Sequence, residues 1–277
     1  MTSFETSNTC FNRAGESLAW APDGSAIAFL GTDEPKPEYS EIIVMDRLLT
    51  KGLTEFMDFR RTHLFIVSPE GGEPTQLTFG DFDEHSICWT PDSKEIVFIS
   101  DRSEEADLFV RNDVWAVSRQ TRVVRRITES LGADYRPLCS PDGERIAFLR
   151  NMRPNTSNDS VAEDAHLWIV QNDGENPRDL VKTLDRPVSS FAWATDGRKI
   201  LFTASDRGMA PLYSVSITSG DISEISSGEK ATASVASLSV SAVGKMAYLK
   251  DDPSHPAEVY VASTDGLDEI QVTNFNE

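Results

Sequence analysis

The sequence predicts an all-β fold, a β-propeller of four-stranded antiparallel blades, and three observations carry that reading. One aromatic slot recurs five times, at Phe65, Trp115, Trp168, Tyr213 and Tyr260, at intervals of 50, 53, 45 and 47 residues. Each copy joins an apolar hairpin to a second hairpin, so every repeat holds four short strands. No stretch keeps an apolar helical period over the length that an α/β domain needs. A repeat in this range with four strands per unit is the pattern of a propeller.

The first hairpins are Leu18–Phe29, Ile87–Phe98, Leu138–Phe148 and Phe191–Phe202, with a degraded fifth at Leu238–Tyr248. Their turns follow one recipe. Pro22 and Pro141 preset φ, while Asp23, Asp92, Asp142 and Asp196 can bond their own downstream amides. Gly24, Gly143 and Gly197 supply the positive φ that other residues resist. The second hairpins pair His63–Val67 with Gln76–Thr78, Asp113–Val117 with Arg126–Thr128, and His166–Val170 with Asp179–Val181. Leu212–Val215 with Glu224–Ser226 and Glu258–Val261 with Gln271–Thr273 complete the set.

The blades fall at about 17–80, 81–130, 131–184, 185–230 and 231–277, in one domain over 1–277. Each blade has an apolar face that only a neighbour can cover. Five repeats need not complete the ring, and residues 1–16 offer a closing strand. Inserts at 31–62, Asp101–Asn112 and Asn151–Ala165 fall at one point of their blades and so project from one rim. Propellers tend to place binding loops on such a rim.

Composition narrows the function. With 45 acidic against 26 basic residues the net charge is −19, and no basic stripe with stacking aromatics appears, which argues against nucleic acid. No apolar run approaches the roughly 20 residues that span a bilayer. The stretch Met1–Asn8 has neither a basic start nor an apolar core, which points to the cytoplasm if Met1 is the natural start.

The three cysteines are Cys10, Cys88 and Cys139, an odd count without a Cys-x-x-Cys. Cys139 takes the slot that Trp20, Trp89 and Trp193 fill elsewhere, so it and Cys88 read as buried, reduced, inert strand residues, with disulfide and metal as the lesser alternatives.

No catalytic, cofactor-binding or metal-binding residue is predicted, and no cofactor. His63 and His166 share one slot and read as structural, while His85 and His255 lie in connecting turns. The acidic insert Asp101, Glu104, Glu105, Asp107 with Asp113 has oxygen ligands for calcium but lacks the glycine-pinned loop, so a solvated loop is expected. Arg60 and Arg61 are candidates for a channel-facing or interdomain role, with a solvated pair as the competing reading.

Residues such as Trp89-Thr-Pro-Asp-Ser with Ile96-Val-Phe98, followed by Asp113-Val-Trp-Ala-Val117, resemble the repeat of TolB-type proteins and of prolyl-oligopeptidase-family serine peptidases. The stretches Met45–Asp83 and Phe98–Trp115, and the end Val272–Glu277, are similar to the acylaminoacyl-peptidase-like branch. The resemblance implies a non-catalytic propeller that filters short peptides into an α/β-hydrolase domain with a Ser-Asp-His triad. None of the triad carries over. The nearest approach to Gly-x-Ser-x-Gly is Gly15-Glu-Ser-Leu-Ala19, which lacks the second glycine and runs into a strand. Alone, the chain is expected to hydrolyse nothing, its parent being a serine peptidase. Its expected partners are that hydrolase domain and short peptides. The alternative is a free-standing TolB-like propeller that binds a protein or peptide on its rim.

Overall fold

The structure, a computed structural model, describes residues 16–32, 60–104, 106, 111–151, 165–225 and 234–275. Among them are 20 strands and no helix. Blade 1 holds β1 (Leu18–Trp20), β2 (Ile27–Gly31), β3 (His63–Val67) and β4 (Thr75–Gln76). Blade 2 holds β5 (Glu84–Trp89), β6 (Glu95–Ser100), β7 (Asp113–Ser118) and β8 (Val124–Arg126). Blade 3 holds β9 (Ala133–Cys139), β10 (Arg145–Asn151), β11 (His166–Gln171) and β12 (Arg178–Asp179). Blade 4 holds β13 (Val188–Trp193), β14 (Lys199–Ala204), β15 (Leu212–Ser216) and β16 (Ile222–Glu224). Blade 5 holds β17 (Ser234–Val240), β18 (Lys245–Asp252), β19 (His255–Ser263) and β20 (Ile270–Gln271). Every sheet is a four-stranded antiparallel meander in sequence order, as the repeat predicts for a β-propeller.

The recurring aromatic has a partner that explains its recurrence. Phe65 pairs in register with Phe29, Trp115 with Phe98, Tyr213 with Phe202, and Tyr260 with Tyr248. Three of these pairs stack, with ring centroids 5.6, 5.4 and 6.3 Å apart. Cross-strand aromatic pairs of this kind add about 0.5–1.5 kcal/mol beyond the area they bury.

The first turn of each blade also follows its sequence. The carboxylates of Asp23, Asp92 and Asp196 accept the amides of Ser25, Lys94 and Arg198 at 2.9, 3.1 and 2.9 Å. Ser93 stands where other blades have glycine and holds φ at 60°.

The fourth strands are displaced from their predicted places. Thr78, Thr128 and Thr273 were expected in those strands, yet each lies beyond the strand's end. Their hydroxyls instead accept the amides of Leu64, Val114 and Val259, within the third strand, at 2.9, 2.8 and 2.8 Å. A side chain here replaces the last rung of the ladder.

The chain divides into two compact units, 1–139 with 143–163 and 170–176, and 140–142 with 164–169 and 177–277. In the first, Ala28, Leu30, Leu64 and Leu77 of blade 1 form one apolar core with Ile87, Trp89, Ile96 and Phe98 of blade 2. In the second, Leu201 and Leu212 of blade 4 pack with Val235, Met246, Tyr248 and Ala262 of blade 5.

Candidate functional site on the insert-bearing rim

One backbone bond repeats wherever a blade meets the next. The amides of Glu84, Asp134, Val188 and Val235, at the start of first strands, donate to the carbonyls of Thr62, Asn112, Ala165 and Ala210 at 2.9, 2.8, 3.0 and 2.9 Å. These carbonyls lie at the entry to the third strand of the preceding blade. The four donors define one slot, occupied by acid, acid, valine and valine.

At the first two positions that slot builds a buried polar lock. Glu84 is fully buried. Its Oε2 accepts the Thr78 hydroxyl at 2.9 Å and lies 2.9 Å from His63 Nδ1, while Oε1 accepts from Arg102 at 2.9 Å. The Arg102 guanidinium also lies over the rings of Trp115 and Phe82, 4.7 and 4.9 Å from their centroids. Asp134, also fully buried, accepts the Thr128 hydroxyl at 2.6 Å and a two-pronged bond from Arg150 at 2.6 and 2.8 Å. Burial pushes the Asp134 carboxyl upward, against the pull of Arg150 and Thr128.

Where blade 3 meets blade 4, the same slots turn apolar together. Arg150 pairs in register with Asp134, and Ala204 pairs in register with Val188. Val181 stands where Thr78 and Thr128 stand, and Val181, Val188 and Ala204 are all buried. Across the first three blade boundaries hydroxyl, carboxylate and guanidinium thus occur together or are all replaced, whereas at the fourth Val235 pairs in register with Lys250. A buried charge left without its partners costs several kcal/mol, which explains the joint change.

Around the first lock, charges close on one another. Arg61 donates to Asp81 at 2.6 Å and to Asp83 at 2.9 Å, and Asp83 also accepts the Thr62 amide at 2.9 Å. Arg61 is thus committed to bracing the rim, and Arg60 beside it is half-buried. Asp101 accepts the amides of Ser103 and Arg111 at 3.0 and 2.8 Å, tying together the two ends of the second insert. Asp113 accepts from Arg126 at 2.6 Å and from the Ser130 amide at 3.1 Å. Burial nevertheless raises the Asp113 carboxyl to about 6. His166 Nδ1 lies 2.7 Å from Asp179, so both slot histidines meet carboxylates.

One serine lies against a histidine here: Ser86 Oγ is 2.9 Å from His85 Nδ1. Ser86 is 1% exposed and holds φ at 55° within the β5 bulge, so no substrate carbonyl can approach it. Burial pulls the His85 pKa down to about 4, which keeps the ring neutral. The pair pins a bulge. Among the described residues no three histidine, cysteine, aspartate or glutamate side chains gather into a metal site. Most of the inserts at 31–62 and 151–165, with Glu105, Asp107 and Cys10, lie outside the described residues.

Cys88 and Cys139, expected to be buried and inert, are less buried than that. Cys88 and Cys139 are half-buried and their sulfurs lie 2.9 Å apart. Sequence reasoning also missed Glu84 and Asp134. The signal that could have found them is the threonine six residues upstream of each.

No family model matches the chain. Dipeptidyl-peptidase 5 of Porphyromonas gingivalis is 26% identical over 57% of this chain and 23% of its own length. Peptidase YuxL of Bacillus subtilis is 24% identical over 88% of this chain and 34% of its own. The acylaminoacyl peptidase of Pyrococcus horikoshii superposes over 95% of this chain and 38% of its own, with a TM-score of 0.68 at 20% identity. TolB of Acinetobacter baumannii superposes over 76% of this chain and 49% of its own, with a TM-score of 0.54 at 18% identity. The chain spans about a quarter to a third of the length of these two curated relatives. No helix among the described residues is long and apolar enough to cross a membrane. The chain is a β-propeller whose structural neighbours are acylaminoacyl peptidase, prolyl endopeptidase and TolB propellers, and whose curated relatives include named peptidases.

Proposed function

We propose that the chain is the gating propeller of a serine peptidase of the prolyl-oligopeptidase kind, filtering short peptides for an α/β-hydrolase domain outside these 277 residues. The observation that carries this reading is the lopsided coverage: the match takes in 88% of this chain but only 34% of the YuxL peptidase. The rim chemistry agrees with a supporting role. The rim charges described above are engaged by neighbours, and Ser86, which lies against His85, is sealed from substrate.

The test is to express the reading frame together with the sequence flanking it at its source locus, beside the chain alone. A fluorophosphonate probe should label the extended protein at one serine and leave the chain alone unlabelled. The extended protein should cleave short peptides and spare folded proteins. Stoichiometric labelling of the chain alone would overturn the reading. Flanks without a hydrolase would favour the second reading, a TolB-like binding propeller, which the superposition on TolB supports.

A further inference from the structure

The contact between Cys88 and Cys139 follows from the repeat itself. In blade 2 the tryptophan slot reaches back to the preceding blade: Trp89 donates its indole N–H to the Ala19 carbonyl at 3.0 Å. Ala19 is the residue just before the tryptophan slot of its own first strand, Trp20. One blade later the same geometry meets different residues. Cys139 fills the tryptophan slot of blade 3, and Cys88 is the residue just before the slot of blade 2. The two side chains therefore converge, with their sulfurs 2.9 Å apart across 51 positions of sequence. Both cysteines are half-buried, which leaves a path for a small reagent.

We propose that Cys88 and Cys139 form a reversible disulfide site, a covalent staple between two neighbouring blades that closes on exposure to a low-molecular-weight disulfide such as oxidised glutathione. The Cys88 thiolate attacks one sulfur of the reagent and displaces a first glutathione thiolate, which takes up the proton Cys88 has released. The Cys139 thiolate then attacks the Cys88 sulfur of the mixed disulfide and displaces a second glutathione, which is protonated in turn. Two protein thiols and one glutathione disulfide become one protein disulfide and two glutathiones, and the two electrons pass to the reagent.

The hydrogen bond shared with Cys88, then burial, push the Cys139 thiol up as long as the two thiols stay paired. Once Cys88 carries glutathione, that hydrogen bond is gone and Cys139 can act as the resolving thiol. Closing a loop of 51 positions restricts the unfolded chain, so the oxidised protein should melt about 5 °C or more higher.

The experiment uses the full chain with Cys10→Ser, so that only the two cysteines of interest remain. The folded protein is treated with oxidised glutathione, quenched in acid, alkylated under denaturing conditions, digested and read by mass spectrometry. The expected products are a linked Cys88–Cys139 peptide, its loss on reduction, and a higher melting temperature. The same treatment in guanidinium should give mainly glutathione adducts, because the blades no longer hold the thiols together. The Cys139→Ser variant should stop at one glutathione on Cys88. Two free or two glutathionylated cysteines in the folded chain would overturn the proposal. So would equal yields of the linked peptide from folded and unfolded chains.

Discussion

Thr128 donates its hydroxyl to the buried carboxylate of Asp134 at 2.6 Å while the same oxygen accepts the Val114 amide at 2.8 Å. One side chain thus finishes the hairpin of its own blade and grips the first strand of the next. Thr128→Val keeps the shape and removes both bonds. It should cost about 1–3 kcal/mol, because a buried amide and a buried carboxylate each lose a partner. Urea denaturation of the two proteins measures it directly.

The joint replacement where blade 3 meets blade 4 predicts how the lock responds to mutation. Arg150→Met alone strands the Asp134 carboxylate and should cost about 3–5 kcal/mol. Combining Thr128→Val, Asp134→Val and Arg150→Ala copies the Val181, Val188 and Ala204 set. The triple variant should be more stable than Arg150→Met despite carrying more changes. A triple variant less stable than the single one would show that the two sets are not equivalent.

The tryptophan slot gives a contrast between two identical residues. Trp89 is 6% exposed and bonded to Ala19, whereas Trp20 is 57% exposed. Trp89→Ala should destabilise by about 3–5 kcal/mol, as large-to-small core changes do. Trp20→Ala in the same 277-residue chain should cost less than about 1 kcal/mol. Thermal melts of the two variants distinguish them.

Two buried groups give opposite pH dependences. His85 is depressed to about 4, so the stability from its neutral form is present above the ordinary value of 6.5 and lost as pH falls toward 4. Asp113 is raised from 3.8 to about 6, so the stability from its protonated form is present below 3.8 and lost as pH rises through 6. His85→Gln removes the first contribution, which amounts to about 3 kcal/mol at neutral pH. Compared with the parent, this variant should lose stability less steeply on acidification between pH 6.5 and 4. A parallel pair of pH–stability curves would contradict the assignment.

Much of the blade was legible because its causes are local. The turn aspartates bond amides two residues ahead, and strand alternation needs only adjacent positions, so Asp23, Gly24 and the recurring aromatic at Phe65 declare themselves. The fourth strands were placed too late because a threonine at the end of an apolar strand looks like one more strand residue. Only the position of Leu64 turns Thr78 into a cap.

The sequence by itself determined the repeat, the four strands of each blade, their turns and the recurring aromatic slot, all of which rest on periodicity and near-neighbour chemistry. The tertiary structure decided what the polar residues do. Asp134 meets Arg150 across one hairpin, Thr78 meets Glu84 across a blade boundary, and Cys88 meets Cys139 across 51 positions. The reason is physical: periodicity says which face a residue takes, but only the stacking of one blade on the next says which side chain it meets there.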